Sequence, residues 1–298
     1  MEQLIYAFSS SITDIQSMVL VESIRNFGGE LSDCPIWIFT LKNLEKIPKD
    51  IMKKLNNYEV QVHTLDLDSA IANFPFISHV YAAKKAEDLA LNKAKHLAFL
   101  GTNTVVAKPP FEFILEDGVS FAYRPVHHKL IGSNYNEPID KFWKLIYEKT
   151  NVKEKNIFPL RTHVDGNILR PYINSGHLVV KPKRGFFNQW WKFYLSLHND
   201  PVFKEFYEKN DLYLTFIHQA VLSGVFLSYL DKSEIYELPL EYNYPINLYH
   251  EIPDEFLLKN LDELVTFRYY LEFIEKPEDY EKIPFKEPLK SWFSSKIH

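Results

Sequence analysis

Cysteine is nearly absent. Cys34 stands alone among 298 residues, so neither an internal disulfide nor a thiolate zinc site can form, which fits a reducing, cytoplasmic setting. Positive charge is not in excess either. With 34 Lys and Arg against 39 Asp and Glu the net charge is -5, and binding along a nucleic-acid backbone or an anionic membrane has no electrostatic basis. A secretory leader is not expected, because Glu2 precedes an apolar run, residues 4–8, that is too short for its hydrophobic region. Internal repeats, low-complexity segments and Gly/Ser linkers are missing, which leads us to expect one α/β domain, residues 1–252, with a C-terminal extension, 253–298, packed on it.

Long uncharged runs are limited to one, residues 212–230, whose length approaches a bilayer span. Thr215, His218, Gln219, Ser223 and Ser228 interrupt it with groups that hydrocarbon penalises, so we expect a buried helix and no transmembrane segment.

What is present is a globular composition, 46% hydrophobic and 24% charged, with enough chain for a sizeable core. The aromatic share of 15% is high, and it suits either the core or flat stacking surfaces for bases and sugars. Short apolar runs alternate with helical periodicity through the first hundred residues. Strands are expected at 4–9, 35–40, 60–65 and 97–100, and helices from Ile15 to the Gly28-Gly29 stop, at 49–56 and at 80–95. This alternation implies an α/β fold with a mainly parallel, mixed central sheet flanked by helices, whose ligands sit beyond the carboxyl ends of the strands. Further on, strands are expected at 119–123, 177–180, 235–238 and 264–270, and helices at 139–149, 187–197 and 212–222.

Several short pieces stand in a telling order. The chain runs Lys84-Lys85-Ala86-Glu87, then Phe99-Leu100-Gly101-Thr102-Asn103-Thr104 with Lys108-Pro109-Pro110, then Tyr172-Ile173-Asn174-Ser175-Gly176. His218-Gln219 and Leu238-Pro239-Leu240-Glu241-Tyr242-Asn243 follow. Over residues 4–249 this resembles the A-type glycosyltransferases, particularly the retaining, family 8-like group. The resemblance implies a nucleotide-diphosphosugar transferase fold and a nucleotide-sugar donor, with an acceptor that it does not identify. It also exposes a departure. Relatives carry an acidic Asp-x-Asp pair where this chain has Gly101-Thr102-Asn103, so the usual ligands of a divalent ion, Mn or Mg, are replaced by neutral groups. The terminal His-x-x-Gly-x-Lys motif is missing too, leaving His250 and Arg268 nearby.

By that resemblance the donor site comprises Ala7, Phe8 and Ser9 at the end of the first strand, Lys84 at the start of a helix, Gly101, Thr102 and Asn103, then Asn174, Ser175 and Gly176, and Asn243. Gln219 and His218 are the catalytic candidates. Without a metal, the departing diphosphate needs cations or backbone amides, and Lys84, Lys85, Arg124 and Arg170 are the cations considered. Asp140 and Asp165 are the acids that could serve as substitute bases. His127 and His128 would point to opposite faces of a strand, and His163 with Asp165 is a poor chelate, so no metal site is expected from them. A non-catalytic descendant that binds a nucleotide or a glycan is the alternative that the lost acidic pair suggests.

Overall fold

The computed structural model describes residues 1–12, 14–41, 47–258, 261–270, 283 and 285–297. The order of elements is β1 (Glu2–Ser9), α1 (Ile15–Phe27), β2 (Ile36–Thr40), α2 (Lys49–Asn57), β3 (Val60–Thr64), α3 (Ile77–Ala90), β4 (Ala94–Leu100), β5 (Thr104–Val106), β6 (Phe121–Pro125) and α4 (Lys141–Lys149). There follow β7 (Leu160–Arg161), β8 (Ile168–Leu169), β9 (Ile173–Val180), α5 (Phe186–Leu197), α6 (Lys204–Lys209), α7 (Asp211–Tyr229), β10 (Ile235–Glu237), β11 (Tyr244–Pro245), β12 (Thr266–Arg268) and α8 (Leu289–Ile297).

Seven strands form the central sheet in the order β10-β6-β9-β4-β1-β2-β3. All its pairings are parallel except those of β9, which lies antiparallel between β4 and β6. The mainly parallel, mixed sheet implied by the alternation of strands and helices is therefore present. Side chains alternate across it as a period of two requires. Ile5 and Ala7 of β1 join Phe99, Ala83, Ala86, Trp190 and Val221 on the face covered by α3, α5 and α7. Tyr6 and Phe8 join Leu20, Ile24, Ile38 and Leu55 on the face covered by α1 and α2. With both faces covered, β2 is buried at every position.

Local chemistry sets several boundaries. The Asp14 side chain accepts from the Gln16 amide and caps α1, and the Gly28 amide closes the helix on the Ile24 carbonyl. Helix α3 runs from Ile77 to Ala90, earlier than its apolar periodicity suggests. Asn92, at a φ of 64°, turns the chain in the left-handed region that Asn tolerates, so Ala94 opens β4 instead of closing the helix. Strand β9 begins at Ile173, which puts Asn174, Ser175 and Gly176 inside a strand and not in the loop expected before it. Segment 264–270 supplies β12 to a second sheet, ordered β11-β12-β5. Helix α7 is long and apolar enough to cross a membrane, and residues 217–227 of it are buried within the protein.

Glu87 joins α3 to α5. Its side chain is 1% exposed, and Oε2 accepts from the Asn188 amide at 2.8 Å and from Asn188 Nδ2 at 3.0 Å, in the first turn of α5. Burial nevertheless pushes its pKa up to about 7 from 4.5. The folded protein thus holds the proton more tightly than the unfolded chain. The stability this contributes is complete below about 4.5 and lost as the pH rises through about 7. Glu87→Gln should escape that loss, gaining about 3 kcal/mol on the wild type across this window by the relation between proton affinity and free energy. Urea midpoints of the two proteins measured through the window test this; parallel pH profiles would refute it.

Candidate functional site

The sheet opens into a cleft of about 670 Å³ beyond the carboxyl ends of β1 and β4. Ser9 ends β1, and Gly101, Thr102 and Asn103 follow β4; because β9 runs antiparallel to β4, its first residues reach the same edge. The Gly101 amide donates to the Gly176 carbonyl at 2.7 Å, which fixes this meeting. Helix α7 adds His218 and Gln219, the start of α3 adds Phe76, Ser78 and His79, and Arg268 and Tyr270 arrive with β12. Ser9, Gly101, Thr102, Asn103, Asn174, Ser175, Gly176, His218 and Gln219 thus line one cavity, although they are spread over more than two hundred positions.

Hydrogen bonds lock the wall made by α7. Gln219 Oε1 accepts from the Ser175 amide at 2.9 Å, and Gln219 Nε2 reaches the Tyr172 hydroxyl at 3.5 Å. His218 Nδ1 lies 2.9 Å from the Thr215 carbonyl, which can only accept, so Nδ1 carries the proton. Its Nε2 then accepts from Ser175 Oγ at 3.0 Å. This arrangement needs a neutral ring, and burial holds the His218 pKa well below the usual value. His79 Nε2 donates to the Ser175 carbonyl at 3.1 Å, and its pKa falls to about 4 for the same reason. Phe76 stacks on His218 at 4.2 Å and stays 44% exposed at the rim. Its φ of 59° is a strained value for a bulky residue, held where the cleft opens.

Other expected residues lie elsewhere. Ala7 and Phe8 point into the two cores, because helices cover both faces of the sheet, and of β1 only the terminal Ser9 borders the cleft. Lys84 sits in the second half of α3, not at its start, and pairs with Asp88 one turn on. Asn243 is fully buried in a left-handed turn, its amide donating to Thr266 Oγ1 at 2.8 Å, and it does not border the cleft. Arg124 is committed to Glu237 and the Leu238 carbonyl, and Arg170 to carbonyls of 134 and 137. Asp140 caps α4, and Asp165 accepts from the Lys129 amide and Thr162, so neither acid faces the cleft as a base.

His127 and His128 follow the end of β6 instead of lying in it, and both border the cleft. His127 also meets the His163 ring edge to face at 4.9 Å. Sequence reasoning missed His79, which directly precedes the residues assigned to the helix at 80–95, and Gln16, in the first turn of α1.

A divalent ion does not fit this cleft. Hard cations require anionic oxygens, yet among the described residues no carboxylate lines the cavity, and no group of three or more His, Cys, Asp or Glu could hold a metal. The side-chain oxygen of Asn103 is turned back on Gly101, 2.9 Å from where a Cβ would stand there. Among the described lining residues the one Lys, Arg, Asp or Glu is Arg268.

The Rhodobacterales glycosyltransferase domain family matches residues 6–223. The match takes in most of the chain, and the protein belongs to this family of glycosyltransferases, as the order of its motifs suggested. The chain is also similar to the glycosyltransferase GlyE of Streptococcus pneumoniae TIGR4, at 11% identity and a TM-score of 0.48. That likeness covers 100% of this chain and 61% of GlyE, so the chain spans under two thirds of the GlyE length. Mouse xyloside xylosyltransferase 1 is similar at 10% identity and a TM-score of 0.46, over 91% of this chain and 98% of its own. The galactosyltransferase LgtC, in complex with donor and acceptor sugar analogues, is similar at 11% identity and a TM-score of 0.48, over 96% and 99%. No curated protein matches the sequence.

Proposed function

We propose that the protein transfers a glycosyl group from a nucleotide-sugar donor, bound in the cleft beyond β1 and β4, to an acceptor hydroxyl. The observation that carries this reading is the convergence of Ser9, Gly101 to Asn103, Asn174 to Gly176, and His218 with Gln219 on one cavity in a glycosyltransferase-family domain. Each group has chemistry to offer there. The bare backbone of Gly101 and Gly176 makes room for Asn103 and Arg268 in the cleft wall, and the Asn174 amide nitrogen, which no described residue engages, can donate to a sugar hydroxyl. Exposed Phe76 and Tyr270 suit stacking of a base or a sugar ring at the rim.

Gln219 takes the role of the residue beside the reacting carbon, and His218 positions the Ser175 hydroxyl through Nε2. The segment that follows residue 252 contributes to the site through Arg268 and Tyr270. The single cysteine supports a cytoplasmic place of action.

Incubating the full chain with UDP-sugars and GDP-sugars and following nucleoside diphosphate release tests the reading. Slow donor hydrolysis that accelerates when a sugar acceptor is added is the expected result. Silence across both donor sets, with and without Mn²⁺, would remove it.

A further inference from the structure

The geometry points to Arg268 as the group that takes the charge of the donor's diphosphate, so that the protein binds nucleotide sugars without a divalent metal. This rests on the donor reading above and adds to it the means by which the diphosphate is held. Strand β12 pairs with β5 so that Arg268 stands opposite Thr104, directly after Gly101, Thr102 and Asn103. The next amide, that of Tyr269, donates to the Asn103 carbonyl at 3.1 Å, which ties the turn and the cation to one strand end. Arg268 Nη1 donates to Asn174 Oδ1 at 3.1 Å, and its guanidinium carbon lies 3.6 Å from where a Cβ on Gly176 would stand. The cation therefore rests on the bare backbone of Gly176, inside the cleft.

Its bonding is incomplete. Among the described residues Nε is buried without a partner, Nη2 reaches only the Tyr270 hydroxyl at 3.4 Å, and no carboxylate pairs with the guanidinium. A half-buried guanidinium lacking an anion is unfavourable on its own, and a phosphate is its geometric match, since two of its N–H groups can meet two oxygens. The positive field also reaches His79 and His127, which line the cleft, and the buried His177 beyond it, lowering their proton affinity in addition to burial. Where a divalent ion would need carboxylates, this chain has neutral groups and a fixed cation, and the cation does the same electrostatic work on a diphosphate.

Calorimetric titration of the full chain with UDP and with GDP, in EDTA and again in Mn²⁺, tests the inference when uridine and guanosine are titrated alongside. The diphosphate that binds should bind equally well in both buffers. Arg268→Ala should weaken it by about 10- to 100-fold, the effect of losing a charge-assisted contact, while Arg268→Lys recovers part of the affinity and the matching nucleoside is unaffected. Binding that vanishes in EDTA, an unchanged affinity in Arg268→Ala, or equal losses for nucleoside and diphosphate would overturn the inference and leave the transferase reading intact. If neither diphosphate binds under any condition, the donor reading itself falls.

Discussion

Lowering the pH from 6.5 toward 4 is expected to strip away most of the protein's stability, because five imidazoles are packed inside in neutral form. His127, His163, His177 and His218 are buried, and His79 is partly covered beside Phe99 and Trp190. Burial is the first cause in every case, and the charges of Arg268 and Arg124 add to it for His127 and His177. The pKa values of His163 and His177 fall to about 3 and that of His79 to about 4, while those of His127 and His218 lie well below 6.5. The unfolded chain therefore binds protons that the folded one refuses. The stability carried by these rings is complete above about 6.5 and is lost as the pH falls through the folded values.

At about pH 4.5, His163 and His177 would each have cost about 3 kcal/mol, at about 1.4 kcal/mol per tenfold change in proton affinity. Domains are stable by only about 5–15 kcal/mol. Glu87 works in the opposite direction over the same range, but it is one group offering about 3 kcal/mol, so the imidazoles win. The urea midpoint should fall steeply with acid before ordinary carboxylates begin to protonate. A midpoint that holds level to about pH 4.5 would show that these rings charge without penalty.

Gly224→Ala is the second variant with a large expected effect, and helix propensity alone predicts the wrong sign for it. Alanine is favoured over glycine inside a helix by about 1 kcal/mol. Here an added Cβ would overlap Thr150 Oγ1 and lie 2.9 Å from its Cγ2 and 3.0 Å from its Cβ. Thr150 cannot easily give way, because it ends α4, is fully buried, and donates from Oγ1 to the Ile146 carbonyl at 2.7 Å. Overpacking of this kind costs roughly 1–3 kcal/mol, and more where the neighbours are fixed. We expect a net loss of about 2 kcal/mol. The same helix holds β9, with Ser223 Oγ accepting from the Ile173 amide at 2.9 Å and Gln219 Oε1 from the Ser175 amide, so a displacement of α7 is expected to disturb the cleft wall. Any donor turnover should fall with stability. Thr150→Ala in the same chain should restore part of both, since it removes the atoms that overlap. Urea unfolding of the two variants decides the matter: a neutral or stabilised Gly224→Ala would mean that the helices have room to part.

Much of this molecule was legible in the order of its residues. The first four strands, the helix stop at Gly28 and the long apolar helix bearing His218 and Gln219 follow from preferences that act over two to four neighbours. The order of motifs was enough to identify a glycosyltransferase, and that identity holds. Other features needed the whole fold. Ala7 and Phe8 face inward because helices cover both sides of the sheet.

The meeting of Gly101 with Gly176, and of Arg268 with Thr104, depends on β9 inserting antiparallel beside β4 and on β12 joining β5. Backbone amides and carbonyls are chemically alike in every strand, so periodicity can say that a segment is a strand without naming its partner. The amino-acid order determined the elements and the family. Only the packing of distant segments decided which side chains share the cleft, because that choice rests on burial summed over the whole sheet.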